Sequence, residues 1–243
     1  MSSGRREVDP EAAGMTGKAT ATLLVGLLAV GILGYAYFSV WYSPSIRGQV
    51  VDASSNKPLA SAVLVATWEV SSWEGYPVKQ LAVREATTDA DGRFTIRAWG
   101  PRFHLGVGSM RGNEPFVRVW AHGYVPLILN NTPDHDVPQA FAYPIILSRL
   151  DGEVLRLEPA LLTDRAYANA LEVLAIYMEF AYRGLNCEWR EVPRMLVLLQ
   201  TTGRELAGTE IAQRVLLRPV EHVVVRDQCG DPRDFFEEYL PAQ

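Results

Sequence analysis

Four histidines, two cysteines and several paired carboxylates are the residues of this chain best suited to chemistry. His104 is followed by Leu105-Gly106-Val107, His122 by Gly123-Tyr124-Val125, His135 by Asp136-Val137-Pro138 and His222 by Val223-Val224-Val225. None opens a His-x-x-Glu or His-Glu-x-x-His spacing, which would put zinc ligands and a general base on one face of a helix. Asp134-His135-Asp136 offers oxygen and nitrogen donors, but between Pro133 and Pro138 it reads as a solvated loop. Asp89-Ala90-Asp91-Gly92 has half the look of a calcium loop. Thr87 is a poor ligand, and Ala98 stands where the closing glutamate is needed, so a turn is the better reading. Gly106, Gly108 and Gly112 lack the spacing and the lysine of a phosphate-binding loop, and no Gly-x-Ser-x-Gly elbow is present. Glu69 with Glu74, and Glu237 with Glu238, are carboxylate pairs without an evident partner. The expectation is no catalytic residue, no metal and no cofactor.

Cys187 and Cys229 are the only cysteines. They lack Cys-x-x-Cys spacing, and on an exported segment two such thiols are expected to pair as a structural disulfide. Trp68, Trp73, Trp99 and Trp120 form the other notable group. Exposed, they would make a binding surface for a glycan or a peptide; inward, they are the filling of a small core.

What must position these residues begins with an apolar run from Ala19 to Val40, free of charge and closed by Trp41 and Tyr42. About 20 apolar residues in a helix span the ~30 Å hydrocarbon core of a bilayer. Residues 19–42 are therefore expected to anchor the chain in a membrane. Arg5, Arg6 and Lys18 precede the run, which sets the N-terminus in the cytoplasm and the bulk of the chain on the far side of an inner membrane. A cleaved signal peptide is the rival reading, although the run is long and Phe38, Val40 and Trp41 are bulky at the cut. Residues 1–18 lack apolar periodicity and read as a disordered tail. The net charge of −5 over 243 residues gives no electrostatic footprint for nucleic acid.

Residues 45–150 carry strand patterns at Ile46–Val51, Ala62–Val70, Leu81–Thr87, Arg93–Ala98, Phe116–Ala121 and Tyr143–Ser148. Asp89-Ala90-Asp91-Gly92 reads as the turn of a hairpin. In the strand that follows it, Phe94 and Ile96 alternate with Arg93, Thr95 and Arg97, one face buried and one wet. Residues 155–243 then read as a helical module: Leu161–Leu185, with Thr163 or Asp164 near its start; Glu191–Ala207; Thr209–Val225, interrupted by Pro219; and Pro232–Leu240 behind Asp231. The fold class expected is α+β: a transmembrane helix, an antiparallel β-sandwich and a C-terminal helical module.

Three motifs of the β-rich segment resemble a known family. They are Ser45-Ile46-Arg47-Gly48-Gln49-Val50-Val51-Asp52 with Lys57-Pro58-Leu59-Ala60-Ser61-Ala62-Val63, then Thr87-Thr88-Asp89-Ala90-Asp91-Gly92-Arg93-Phe94, and Val119-Trp120-Ala121-His122-Gly123-Tyr124. In order and spacing they resemble the carboxypeptidase regulatory-like domain, over about residues 45–150. The resemblance implies a seven-stranded, transthyretin-like sandwich that accompanies zinc peptidases or serves as an interaction module on envelope proteins. The segment from Trp99 to Pro115 is longer than the family pattern. The peptidase's own zinc ligands are not found here. The function expected is a non-enzymatic, membrane-anchored accessory that binds another envelope protein. Alternatives are a glycan- or peptidoglycan-binding module using the tryptophans, and an enzyme whose site gathers Glu172, Glu179, Glu188 and His222 in the helical module.

Overall fold

The computed structural model describes residues 10–38, 40–71, 77–103, 109–110, 115–130, 145–146, 150–160, 165–184, 186–206 and 219–240. Trp73, the Asp134–Asp136 triplet, most of the segment from 104 to 114, the Thr163 and Asp164 positions and residues 207–218 lie outside them. The described chain divides into two units: residues 10–42 with 100–103, and residues 43–99 with those from 109 onward.

In the first unit, helix α1 spans Pro10–Phe38. It starts earlier than expected, inside the stretch read as a disordered tail, with Pro10 at its first position, where the missing N–H costs nothing. It also stops short of Tyr42. Val40–Ser43 is strand β1, which pairs with β6 (Trp99–Phe103), so Trp41 and Tyr42 belong to a strand and not to the end of the helix. The β-branched and aromatic Val40-Trp41-Tyr42 favours extended backbone once a partner strand is available. The apolar side chains described on α1, Leu23 to Leu33, are 60–70% exposed. Among the described residues no helix is long and apolar enough to cross a membrane.

The second unit is α+β. One sheet orders β10 (Ile145–Ile146), β9 (Leu127–Asn130), β8 (Phe116–Trp120), β3 (Val63–Ser71) and β4 (Pro77–Thr87), with β7 (Ser109–Met110) also on β3. The other orders β11 (Val154–Leu157), β2 (Ile46–Asp52) and β5 (Arg93–Ile96). Most pairs are antiparallel; β10 on β9 and β11 on β2 are parallel. Two expectations change here. The Asp89–Gly92 turn does not close a hairpin, because β4 pairs with β3 while β5 pairs with β2, so the turn carries the chain from one sheet to the other. The β-rich region also extends past 150: Leu155 and Leu157 alternate inward on a strand, which moves the start of the helical module beyond Leu157.

The resemblance motifs have structural duties. A Cβ on Gly48 would lie 2.6 Å from the Phe94 ring and 2.7 Å from the Glu153 carbonyl, so only glycine lets β2 lie this close to its neighbours. Gly92 has φ +69°, and its carbonyl accepts the Val50 N–H at 2.7 Å. Asp89 Oδ1 accepts the N–H groups of Asp91 and Arg93, which occupies it with the turn. Tyr124 donates its hydroxyl to Asp52 Oδ2 at 3.0 Å, and Trp120 Nε1 donates to the Tyr124 carbonyl at 2.8 Å.

The helical module packs on one face of the larger sheet. Val63, Val65, Val83 and Trp120 share a core with Tyr167, Leu171, Leu174, Met178, Leu196 and Leu199. The long helix expected from 161 to 185 is two helices, α2 (Arg165–Tyr177) and α3 (Glu179–Arg183), broken at Met178. Helix α4 spans Pro193–Glu205 and the short α5 Pro232–Glu237; Asp231 Oδ1 caps α5 by accepting the Arg233 N–H. Pro219–His222 is a single 3₁₀ turn. Cys187 and Cys229 form a disulfide, Cα atoms 5.4 Å apart, that ties the segment before α4 to the segment before α5.

Candidate functional site

The three described tryptophans of the group are core residues. Trp68, Trp99 and Trp120 are 1%, 4% and 0% exposed, and Trp68 meets Trp99 edge to face at 5.6 Å. Strand parity explains this: Trp68 shares a face with Leu64 and Ala66, toward the interior of the sandwich, and Trp120 lies opposite Val63 under the helices. Their large apolar area goes to the core.

Of the histidines and carboxylates singled out above, His104, His135 and Glu74 lie outside the described residues, and those described have separate partners. His122 Nε2 lies 3.5 Å from Glu205 Oε2, both about half exposed. Glu179 pairs with Arg183, and Glu188 accepts from Asn186. Among the described residues no three His, Cys, Asp or Glu side chains gather so as to hold a metal ion.

What the fold does bring together is arginine. A cleft of about 970 Å³ lies between the adjoining ends of β4 and β5 and the helical module. Arg84 comes from β4, Arg93 from β5, Arg97 from just beyond β5, Arg190 from the 3₁₀ turn Glu188–Glu191, and Arg194 from the first turn of α4. These five face three acids, Glu85, Asp89 and Glu191, although the chain as a whole is acidic. Alternation along β5 holds Arg93 and Arg97 on the wet face while Phe94 and Ile96 are buried. Arg84 lies 3.4 Å from Glu191. Arg190 donates to the Cys229 carbonyl and lies over the Phe235 ring at 4.9 Å. Arg93 and Arg97 have no ion-pair partner among the described residues. Guanidinium forks in such an array suit carboxylates or phosphates, which they bind through paired N–H donors.

Glu85 forms one wall. Its oxygens accept the N–H groups of Arg194 at 3.1 Å and Met195 at 2.8 Å, so a strand side chain caps α4. Its side chain is 5% exposed, and Arg194 Nη1 stands 3.8 Å away. Burial pushes its carboxyl up to about 7, against the downward pull of the two N–H donors and of the Arg194 charge.

A second buried charge lies on the other side of β3, where Arg118 of β8 stands opposite Val65, the residue that Glu85 faces from β4. Arg118 is 3% exposed, donates to Thr67 Oγ1 at 3.0 Å, and lies over the rings of Phe116 and Phe180 at 4.3 and 5.1 Å. Burial brings it down to about 10, offset by the Glu69 and Tyr177 fields, and its Nε–H has no partner among the described residues. Sequence reading missed Arg118, Glu85 and the cleft. The alternation in Arg93–Arg97 was the one visible signal; the other walls of the cleft come from residues about a hundred positions away.

No protein-family model matches the chain, and no curated protein matches it in sequence. Among solved structures, 3-chlorocatechol 1,2-dioxygenase from Rhodococcus opacus 1CP aligns at 17% identity and a TM-score of 0.31, over 49% of this chain and 61% of its own. A 9R-lipoxygenase from Cyanothece PCC8801 aligns at 12% identity and a TM-score of 0.26, over 68% of this chain and 26% of its own. The alignment spans less than two thirds of either protein. Likeness at these scores carries no argument.

Proposed function

We propose that this chain is a non-enzymatic interaction module of the cell envelope, tethered at the inner membrane by the apolar part of α1 from Ala19 to Phe38 with its bulk outside, and that it binds a partner through the arginine-lined cleft. The observation that carries the reading is the cleft: five guanidinium groups around about 970 Å³ on a chain of net charge −5. Arginine stays protonated at any physiological pH, so these groups recognise anions better than they move protons. The Cys187–Cys229 pair supports an oxidising compartment. The uncharged run from Ala19 to Val40 and the exposed leucines of α1 support a lipid-facing tether. The three motifs support a carboxypeptidase regulatory-like sandwich as the scaffold. Glycan binding through tryptophans loses its support, because Trp68, Trp99 and Trp120 are core residues. For a site built from Glu172, Glu179, Glu188 and His222, Glu179 pairs with Arg183 and Glu188 accepts from Asn186, which gives that reading no support.

Two measurements test this. Protease added to intact spheroplasts should digest the region beyond residue 43; protection of that region overturns the location. Affinity purification from detergent-solubilised membranes should recover a partner that is lost with the double variant Arg93→Glu, Arg97→Glu. Recovery unchanged by that variant overturns the cleft as the working surface.

A further inference from the structure

The cleft has a backbone side as well as a charged one. Thr88 donates its N–H to the Ala62 carbonyl, which makes Ala62 and Thr88 a hydrogen-bonded pair of the β3–β4 ladder. Antiparallel pairs alternate, so Leu64 with Ala86 and Ala66 with Arg84 are hydrogen-bonded pairs too. The N–H and C=O groups of Val83, Glu85 and Thr87 therefore point away from β3. Strand β4 ends its sheet, so they point off the edge. The Arg84 guanidinium takes the Val83 carbonyl at 2.7 Å. The main-chain groups of Glu85 and Thr87 have no partner among the described residues, and both residues line the cleft.

The same reasoning applies across the cleft. Val50 N–H to Gly92 C=O fixes the β2–β5 pairing, so the Thr95 main-chain groups point off the other free edge. Arg93 is closed by the turn, through Asp89. Two open strand edges thus flank a space walled by arginine. Natural sheets usually cover, shorten or charge an edge; here the side chains around both edges are net positive, five guanidinium groups against three acids, which repels basic segments and attracts acidic ones.

We propose that the cleft receives an extended acidic segment of a partner protein, which adds as a strand to the free edge of β4 at Glu85 and Thr87 and sets its carboxylates against Arg93, Arg97, Arg190 and Arg194. Main-chain bonds to the edge supply affinity independent of sequence, and the arginines select acidic residues at alternate positions, the period of a strand. This deepens the interaction-module reading and rests on it, but its test is made in solution, where location plays no part.

The probe is a pool of synthetic peptides of about six residues, the usual strand length, with Asp or Glu at alternate positions and Val, Thr or Ser between. Binding to the purified full-length protein is followed by fluorescence anisotropy. Three comparisons accompany it: the same pool N-methylated at alternate residues, a Lys-for-acid pool, and inorganic tripolyphosphate as competitor. The expected result is saturable binding of the acidic pool, weakened about tenfold or more by N-methylation and to a similar degree by Arg93→Glu with Arg97→Glu, and no binding of the lysine pool. N-methylated peptides that bind as well as the parent overturn strand addition. Tripolyphosphate that displaces the pool while itself binding more tightly overturns the peptide in favour of a phosphate-bearing ligand. Absence of binding overturns the proposal outright, whereas protection from protease in spheroplasts would unseat the envelope reading and leave this result standing.

Discussion

Replacing Glu85 by glutamine isolates the carboxyl with the largest upward shift among the described residues. With its pKa at about 7 in the native state and 4.5 as the ordinary value, Glu85 keeps its proton in the folded protein over a window in which the unfolded chain releases it. Below pH 4.5 both states are protonated and the protonated group's contribution is fully present. Between 4.5 and 7 the unfolded chain binds fewer protons than the native one, so stability falls as pH rises, by about 1.4 kcal/mol per unit. Above 7 both states are ionised and the loss is complete. A difference of 2.5 units, 7 minus 4.5, amounts to about 3 kcal/mol. Glutamine has no such titration. It accepts one of the two α4 N–H groups through Oε1 and leaves the other wanting, a penalty of about 1 kcal/mol that does not change with pH. The variant should therefore be the less stable protein at pH 4.5 and the more stable one at pH 8. Urea unfolding of the full-length protein, followed by tryptophan emission at half-unit steps of pH, reads the difference directly. Parallel stability profiles for the two proteins would refute the reasoning. A wild type that gains on the variant as pH rises would show that the amide donors of α4 outweigh burial and hold the carboxylate as an anion.

Other perturbations have calculable outcomes. Serine at both Cys187 and Cys229 opens a loop with a separation of 42 residues and should lower stability by about 4 kcal/mol, seen as a shift in the denaturation midpoint. Arg118→Met should leave stability within about 1 kcal/mol of wild type, since an apolar chain of similar length escapes the burial cost, whereas Arg118→Lys should lose about 2 kcal/mol because an ammonium cannot lie flat between Phe116 and Phe180; equal losses in the two variants would contradict the buried-guanidinium reading. Gly92→Ala combines φ +69° with a Cβ set against the Val50 carbonyl and should cost about 3 kcal/mol, measurable in the same unfolding assay.

Local physics made much of the fold legible. The strand patterns at Ala62–Val70 and Arg93–Ala98, the alternation of Phe94 and Ile96 with Arg93 and Thr95, and the cap at Asp231 are short-range signals that the structure bears out, and Asp89–Gly92 is a turn as read, although not the turn of a hairpin. Partner choice was not legible. Nothing within Leu81–Ile96 tells β4 and β5 to join different sheets; that is decided by β2 and β3, far away in sequence. Val154–Leu157 is too short to announce a strand, and only Gln49–Asp52 opposite gives it a ladder. The break at Met178 depends on the tertiary surroundings of a segment whose own period is helical throughout. As for the site, the five arginines and Glu85 come from four separate stretches, and no spacing rule unites them. Trp68 and Trp120 belong to the core because β3 and β8 are covered on both faces, and Trp99 is buried against Trp68.

The parallel ladder between β2 and β11 sets an order of events during synthesis. Val50 faces Leu155, so one of the earliest segments after α1 must wait while the chain between them is made before its flank is closed. Long-range closure of this kind slows folding and leaves immature strands open to wrong neighbours. A nascent form cut between Ile96 and Val154 would present a three-stranded sheet lacking one member, with β2 open on the side where β11 belongs, a state suited to capture by holdase chaperones or to degradation. Free chains truncated just before Val154 and just after Leu157 should accordingly differ sharply in their resistance to proteolysis.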